Sequence, residues 1–281
     1  MFRMNGSAIR SRFAALAIAL SACGGSDTTG PTAVPYGQTT LVLVVNPVVN
    51  TLNAANLPAV GTVRSGVTVS VAGGPSGTTD ANGVVVLTNF QAGPKNISLS
   101  GSGLSGTVAV TIADKDLHEV AVALTAAGAA VMANIRYPFG GAVVEVTPSM
   151  SVAQVNAALT QSSIIVFFRA GTYTGDLVFT GSNTTLFGEG TQGGQVVLNG
   201  NVRVEGSSSR IRGARITGNL TAPGSQLGFS FSRVAGALDV DGSSPVFLNN
   251  AFCGSITIEG SGATALGNAG MPPLAAPGGG C

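Results

Sequence analysis

Three carboxylates in the last third of the chain have the type and spacing to do chemistry. Asp239 and Asp241 stand two residues apart, which places them on one face of an extended strand. Glu259 follows Asp241 at an interval of 18 residues. Clustered acids of this kind serve two chemistries: oxygen ligation of Ca²⁺, or the paired acid and base work of glycoside cleavage. The alternative for the same residues is a solvated sheet face that carries charge for solubility. Other reactive groups are sparse. His118 is the only histidine and sits in the charged stretch Ala113-Asp114-Lys115-Asp116-Leu117-His118-Glu119, which reads as a turn with a solvated imidazole. Asp114, Asp116 and Glu119 lack the glycine and spacing of a calcium loop. Asp80 and Asn82 are accounted for by the Asp80-Ala81-Asn82-Gly83 turn. Arg210, Arg212 and Arg215 read as a loop on the opposite part of the repeat unit.

The three cysteines divide by position. Cys23 follows Leu20-Ser21-Ala22 at the end of a short apolar run, while Cys253 and Cys281 remain as a candidate disulfide. No metal-ligand spacing joins them to the distant histidine, so no cofactor is expected beyond a candidate calcium contact at Asp239, Asp241 and Glu259.

The elements that position these groups start with the N-terminus. Arg3, Arg10 and Arg12 precede the apolar run Phe13 to Leu20, which is shorter than the roughly 20 residues of a membrane-spanning helix. A basic start, a short apolar core and small residues form the layout of a secretory signal. Leu20-Ser21-Ala22-Cys23 resembles the lipobox of bacterial lipoproteins. The resemblance implies cleavage after residue 22, lipidation of Cys23 and a membrane partner, and Gly24 after the cysteine implies the outer membrane. Residues 23–38 then form a lipidated, Gly/Thr/Pro-rich linker.

Composition narrows the function classes. Thirteen basic residues face twelve acidic ones, and three of the basic ones lie in the leader, leaving ten against twelve. A nearly neutral body offers no electrostatic footprint for nucleic acid. Only 9% of residues are charged and 41 of 281 are glycine, against about 25% charged in ordinary soluble domains. Short Val/Ile/Leu runs between Gly, Asn and Ser clusters predict many strands and tight turns rather than disorder.

Residues 39–126 carry six such runs: Thr40 to Val45, Val67 to Val71, Val84 to Leu87, Ile97 to Leu99, Val108 to Ile112 and Val120 to Leu124. Their spacing suggests an immunoglobulin-like β-sandwich. The stretch from Gly66, with its Thr-Asp-Ala-Asn-Gly turn and its Gly-Pro turn, resembles carboxypeptidase-regulatory or transthyretin-like domains, which implies a spacer or adhesive module. Residues 127–147 read as a connector.

Residues 148–271 are repetitive. Glycine recurs at 200, 218, 236 and 254 and again at 206, 224, 242 and 260, with serine at 207, 225, 243 and 261. Between the glycines fall the apolar pairs Val202/Val204, Leu220/Ala222, Leu238/Val240 and Ile256/Ile258, and a fifth segment from Gly175 opens the same way. Such a period marks a solenoid. With Ser151 onward reading as a short helix over Val152 to Leu159, the segment resembles pectin-lyase-like right-handed parallel β-helices. This implies about five rungs with an N-terminal capping helix. The family includes polysaccharide lyases and hydrolases, but none of its catalytic motifs maps here. Residues 272–281 form a Pro/Gly-rich tail.

The sequence thus predicts an all-β, membrane-anchored envelope protein of structural, adhesive or glycan-contacting role, with polysaccharide or an envelope protein as partner. The competing expectation is a minimal lyase or hydrolase at the acidic face.

Overall fold

The computed structural model describes residues 37–51, 57–189 and 195–275. Cys23 and Cys281 lie outside the described residues, as do the signal and most of the linker and the tail. The chain is almost entirely β, with one helix among the described residues.

Two four-stranded sheets form the first part. In one, Thr40–Val45 lies between Val84–Thr88, antiparallel to it, and Leu117–Thr125, parallel to it; Gly128–Tyr137 completes the edge. The other runs Ser76–Thr78, Thr68–Val71, Gly93–Gly101, Leu104–Ile112, antiparallel throughout. The burial patterns explain their places. Gly93–Gly101 and Leu104–Ile112 alternate, with Ile97, Leu99, Val108, Val110 and Ile112 turned inward and Ser98, Ser100, Thr107 and Thr111 exposed. Such a sheet has one wet face. Thr40–Val45 is buried at every residue, and Leu117–Thr125 at all but the last, so both faces of their sheet are covered. One face packs on the second sheet through Leu41, Leu43, Val120, Val122 and Leu124. The other face packs on the repetitive part of the chain.

That part winds through three parallel sheets. Ile164–Phe168, Gly171–Thr174 and Leu177–Phe179 make the first coil, one strand to each sheet. Each later coil adds a strand beside its predecessor, ending with Val246–Leu248, Ala251–Phe252 and Ile256–Ile258 in the fifth; Thr264–Leu266 opens a sixth. The predicted apolar pairs point into a continuous interior with Phe179, Ile211, Phe229, Phe247 and Phe252. The helix Val152–Leu159 starts with a Ser151/Gln154 capping box and buries Val155, Ala158 and Leu159. Their burial in the same core closes the first end.

The glycine columns follow from stacking. An added Cβ at Gly242 would sit 2.0 Å from the Gly224 carbonyl oxygen, and one at Gly260 1.9 Å from that of Gly242. Only glycine lets backbone approach backbone so closely from coil to coil.

The 127–147 stretch, expected as a connector, carries two strands. Gly128–Tyr137 edges the first sheet, and Ala142–Val146 pairs with Ile164–Phe168 as the outermost strand of a seven-stranded parallel sheet. These two sheets face each other across a second core, in which Val42, Leu117, Ala121, Ile135, Tyr137 and Phe139 meet Ile165, Phe187, Phe231, Leu248 and Leu266. The two halves therefore share an apolar layer rather than hanging from a flexible joint.

Candidate functional site

The three predicted acids reach the surface on one side. Asp239 faces out from Leu238–Val240, in register with Thr221 and Thr257 on the neighbouring coils. Asp241 and Glu259 follow their strands at exposed positions one coil apart. Among the described residues, no group of three or more His, Cys, Asp or Glu side chains comes close enough to hold a metal ion. Two coils earlier in the column of Asp239 lies Arg203, whose Nε donates to Glu205 Oε1 at 2.7 Å in an exposed pair. This face thus presents singly spaced carboxylates and hydroxyls, which suits hydrogen bonding to a polar surface.

A broader polar surface covers the second sheet of the first part. Thr78, Thr68, Ser100 and Ser105 stand side by side across its four strands, and Ser76, Ser70, Ser98 and Thr107 form the adjacent row. All but the half-buried Ser70 are exposed, and none of the eight is charged. Ser98, Ser100 and Thr107 alternate with the buried Ile97, Leu99 and Val108, and the cross-strand register joins them into a grid.

A buried ion pair lies elsewhere, in the layer between the halves, where sequence reasoning did not place it. Arg212 is not in a loop: it lies on the strand Arg210–Arg212. Its Nε donates to Glu119 Oε1 at 2.6 Å, and the side chains are 2% and 0% exposed. The guanidinium stacks between Phe187 and Phe231, 5.3 and 5.2 Å from the ring centroids. Beside it the Tyr137 hydroxyl hydrogen-bonds Ser230 Oγ. Burial pushes the Tyr137 pKa well above its usual value, and the Glu119 charge adds to that push. Glu119 Oε2 is buried without a hydrogen-bond partner among the described residues. Phe231 holds a left-handed backbone (φ +45°), a conformation that Gly213, Asn249 and Gly267 adopt on the other coils. A bulky side chain there stores roughly 1–2 kcal/mol of strain, offset by its stacking on Arg212. The pair is 2% exposed or less and lies in the apolar layer shared by the two halves, where it ties the strand Leu117–Thr125 to Arg210–Arg212.

His118 is likewise not solvated. It belongs to the strand Leu117–Thr125, is 3% exposed, and its Nδ1 lies 3.1 Å from Asn134 Oδ1. Burial lowers its pKa, against the opposing pull of Asn134 and Asp116. Asp116 is itself buried and paired with Arg136. The run does turn at Asp114 and Lys115, but Asp116 and His118 find their partners on the adjoining strand Gly128–Tyr137 and Glu119 finds its own on Arg210–Arg212.

At the helix-capped end, Arg169 donates from Nε and Nη2 to Glu145 and from Nη1 to Glu189, all at 2.8–2.9 Å and all exposed. Both carboxylates are held below their usual range, Glu145 chiefly by Arg169 and Glu189 chiefly by the Ala170 amide. Cys253 is disulfide-bonded; the expected pairing with Cys281 falls on a residue outside those described. No helix among the described residues is long and apolar enough to cross a membrane. Compared with known protein families, curated proteins and solved structures, the chain shows no match.

Proposed function

We propose that the chain is a membrane-anchored cell-envelope lipoprotein that acts by surface contact rather than by catalysis. In this reading residues 39–126 form an immunoglobulin-like sandwich and residues 148–271 a short right-handed parallel β-helix of five rungs. Lipid on Cys23 and the Gly/Thr/Pro-rich linker hold the body at the outer membrane, with neutral envelope glycan as the contacted class.

The observation that carries the contact role is the uncharged grid of eight Ser and Thr side chains on the second sheet. Hydroxyls at strand spacing, about 4.8 Å apart, donate and accept hydrogen bonds without imposing a charge, which matches the chemistry of a neutral polysaccharide.

Two measurements test this. Replacing Cys23→Ala should move the protein from the membrane pellet to the soluble fraction; continued sedimentation with membranes removes the anchor. The soluble Cys23→Ala chain is then incubated with neutral and acidic polysaccharides, with and without Ca²⁺, and both retention and product release are followed. Retention on neutral glycan that Thr68→Lys/Ser98→Lys abolishes supports the grid. Release of unsaturated or reducing ends, lost in Asp241→Ala, replaces this reading with a minimal lyase or hydrolase.

A further inference from the structure

The first end of the coil stack is also the end at which the linker joins the body. Thr39 Oγ1 accepts from the Lys115 amide at 3.0 Å and bonds Asp114 Oδ1, and the Thr40 amide donates to Asp116 O. The Asp114 carbonyl in turn lies beside Gly140, 3.9 Å from where a Cβ would stand. Gly140-Gly141 leads directly into Ala142–Val146, the outermost strand of the stack. Thr40–Val45 runs away from this end, and Val49 reaches the last coil, where it bridges Leu266. The first end also carries most of the exposed apolar side chains. Among the described residues four large ones are exposed, and three of them are here: Val143 (43%) on the outermost strand, with Met150 and Val152 (both 37%) where that strand passes into the helix. The helix lies across the end with Val155, Ala158 and Leu159 turned into the core. Its outward side, through the turn that follows, presents Val152, Ala153, Gln154, Ala157, Thr160 and Gln161, none of them charged. Glu145, the one charged residue of the outermost strand, is bonded to Arg169, which also bonds Glu189.

We propose that this helix-capped end is a membrane-docking face, on which Val143, Met150, Val152 and the outward side of the helix rest in the interfacial layer of a zwitterionic lipid surface. The choice of partner rests on the lipid anchor at Cys23 proposed above. The chain from Cys23 to Gly37 spans at most about 50 Å, and it delivers the body to the bilayer by this end. A tether of that length holds the face at an effective concentration of about millimolar, so a contact too weak to capture lipid from solution still sets the orientation. Apolar side chains sunk into the headgroup region stabilise such a contact by the area they remove from water. Because the outward side of the helix is uncharged and Glu145 is already paired, the contact owes nothing to anionic lipid. In the docked pose Thr40–Val45 leads away from the bilayer toward the last coil.

The chain contains no tryptophan, so a single introduced one reports its own surroundings. The mature Cys23→Ala chain carrying Val152→Trp is held by an N-terminal polyhistidine tag on phosphatidylcholine vesicles doped with a nickel-chelating lipid. This tether does not depend on natural lipidation, so the anchor and the face are tested separately: the anchor by the membrane pellet of the unsubstituted chain, the face by the tethered one. Tryptophan emission should shift to the blue and be quenched by lipid brominated on its acyl chains, in Val152→Trp and likewise in Met150→Trp. Val131→Trp should show neither, since Val131 pairs with Val122, beside Val45 at the other end of the first sheet. Adding Ala153→Asp to the Val152→Trp chain should abolish both signals. An acid in the first turn favours the helix, so the circular dichroism should not change with it. Equal signals at positions 131 and 152, or none at 150 and 152, overturn the proposal, as does quenching that appears only when phosphatidylglycerol is added. A natural chain that stays soluble while the tethered one docks removes the anchor and leaves the face standing.

Discussion

The Glu119–Arg212 pair allows a quantitative test of how the two halves are joined. Arg212→Met keeps the length and most of the volume of the side chain but leaves the Glu119 carboxylate fully buried, its Oε1 without a partner and its Oε2 already lacking one. Stranding a buried charge in this way destabilises by about 3–5 kcal/mol. Loss of the two stacked rings adds about 1 kcal/mol or more. Glu119→Gln is gentler, since Arg212 keeps Phe187 and Phe231 beneath its charge, and should lose about 2–4 kcal/mol. Combining Glu119→Gln with Arg212→Met removes both charges, and the double variant should lose far less than the sum of the two. A coupling of about 3 kcal/mol is expected. Urea unfolding reports it, followed by circular dichroism and by fluorescence of Tyr137, which lies in the same layer. Additivity within about 0.5 kcal/mol, the behaviour of independent sites, would refute the claim that the pair aligns the halves. Two separate transitions in the unsubstituted chain would refute the shared layer itself.

Other expectations concern pH and packing. Burial lowers the His118 pKa, so its stability contribution is complete above the unfolded value of about 6.5 and is lost as pH falls through the folded value. Urea midpoints should therefore drop on acidification below pH 6.5, by at most about 1.4 kcal/mol per pH unit for one proton, and His118→Gln should flatten that limb. Tyr137 and Tyr173 behave oppositely. Burial raises both, Tyr173 to about 12, so stability holds below pH 10 and declines as pH rises from there toward the folded values. Tyr173→Phe should remove its share of the decline between pH 10 and 12. Gly242→Ala drives a methyl onto the Gly224 carbonyl and should lose about 3 kcal/mol or prevent folding, while Ser243→Ala next to it should stay within about 0.5 kcal/mol in the same urea titration.

Much of the architecture is legible in the residues because it is local or periodic. The capping helix spans Val152–Leu159 as its Ser151/Gln154 box implies. The 18-residue glycine period maps onto columns where stacking leaves no room for a Cβ. The strand Thr40–Val45 matches its apolar run. What failed was set by distant partners. Gly128–Tyr137 mixes exposed and buried residues without clean alternation, so its pairing with Leu117–Thr125 left little trace. His118 and Glu119 sit in a run that looks solvated, and nothing local announces that Glu119 meets an arginine 93 residues later. A signal did exist: Arg212 falls in a register column with Phe187, Ser230, Leu248 and Leu266, where a guanidinium needs a countercharge from outside the repeat. The acids at 239, 241 and 259 are exposed on neighbouring coils, but spacing alone does not draw carboxylates together into a metal cage.

Asn50, which accepts from the Asn268 amide and donates to Ala265 O and Met271 O at the last coil, while nearby Asn46 bonds Leu124 O in the first sheet, gives the coil number a physical meaning. Inserting one more 18-residue unit would be locally faultless, since every glycine and every inward side chain would find its mate. It would also carry the final turn about 4.8 Å beyond its present height, while Asn46 stays pinned to the first sheet. The span from 46 to 51 would then have to climb that added height to meet the new last coil. The segment works as a ruler held against the stack, and it sets a discrete tally of turns that the repeat, left to itself, has no means of counting.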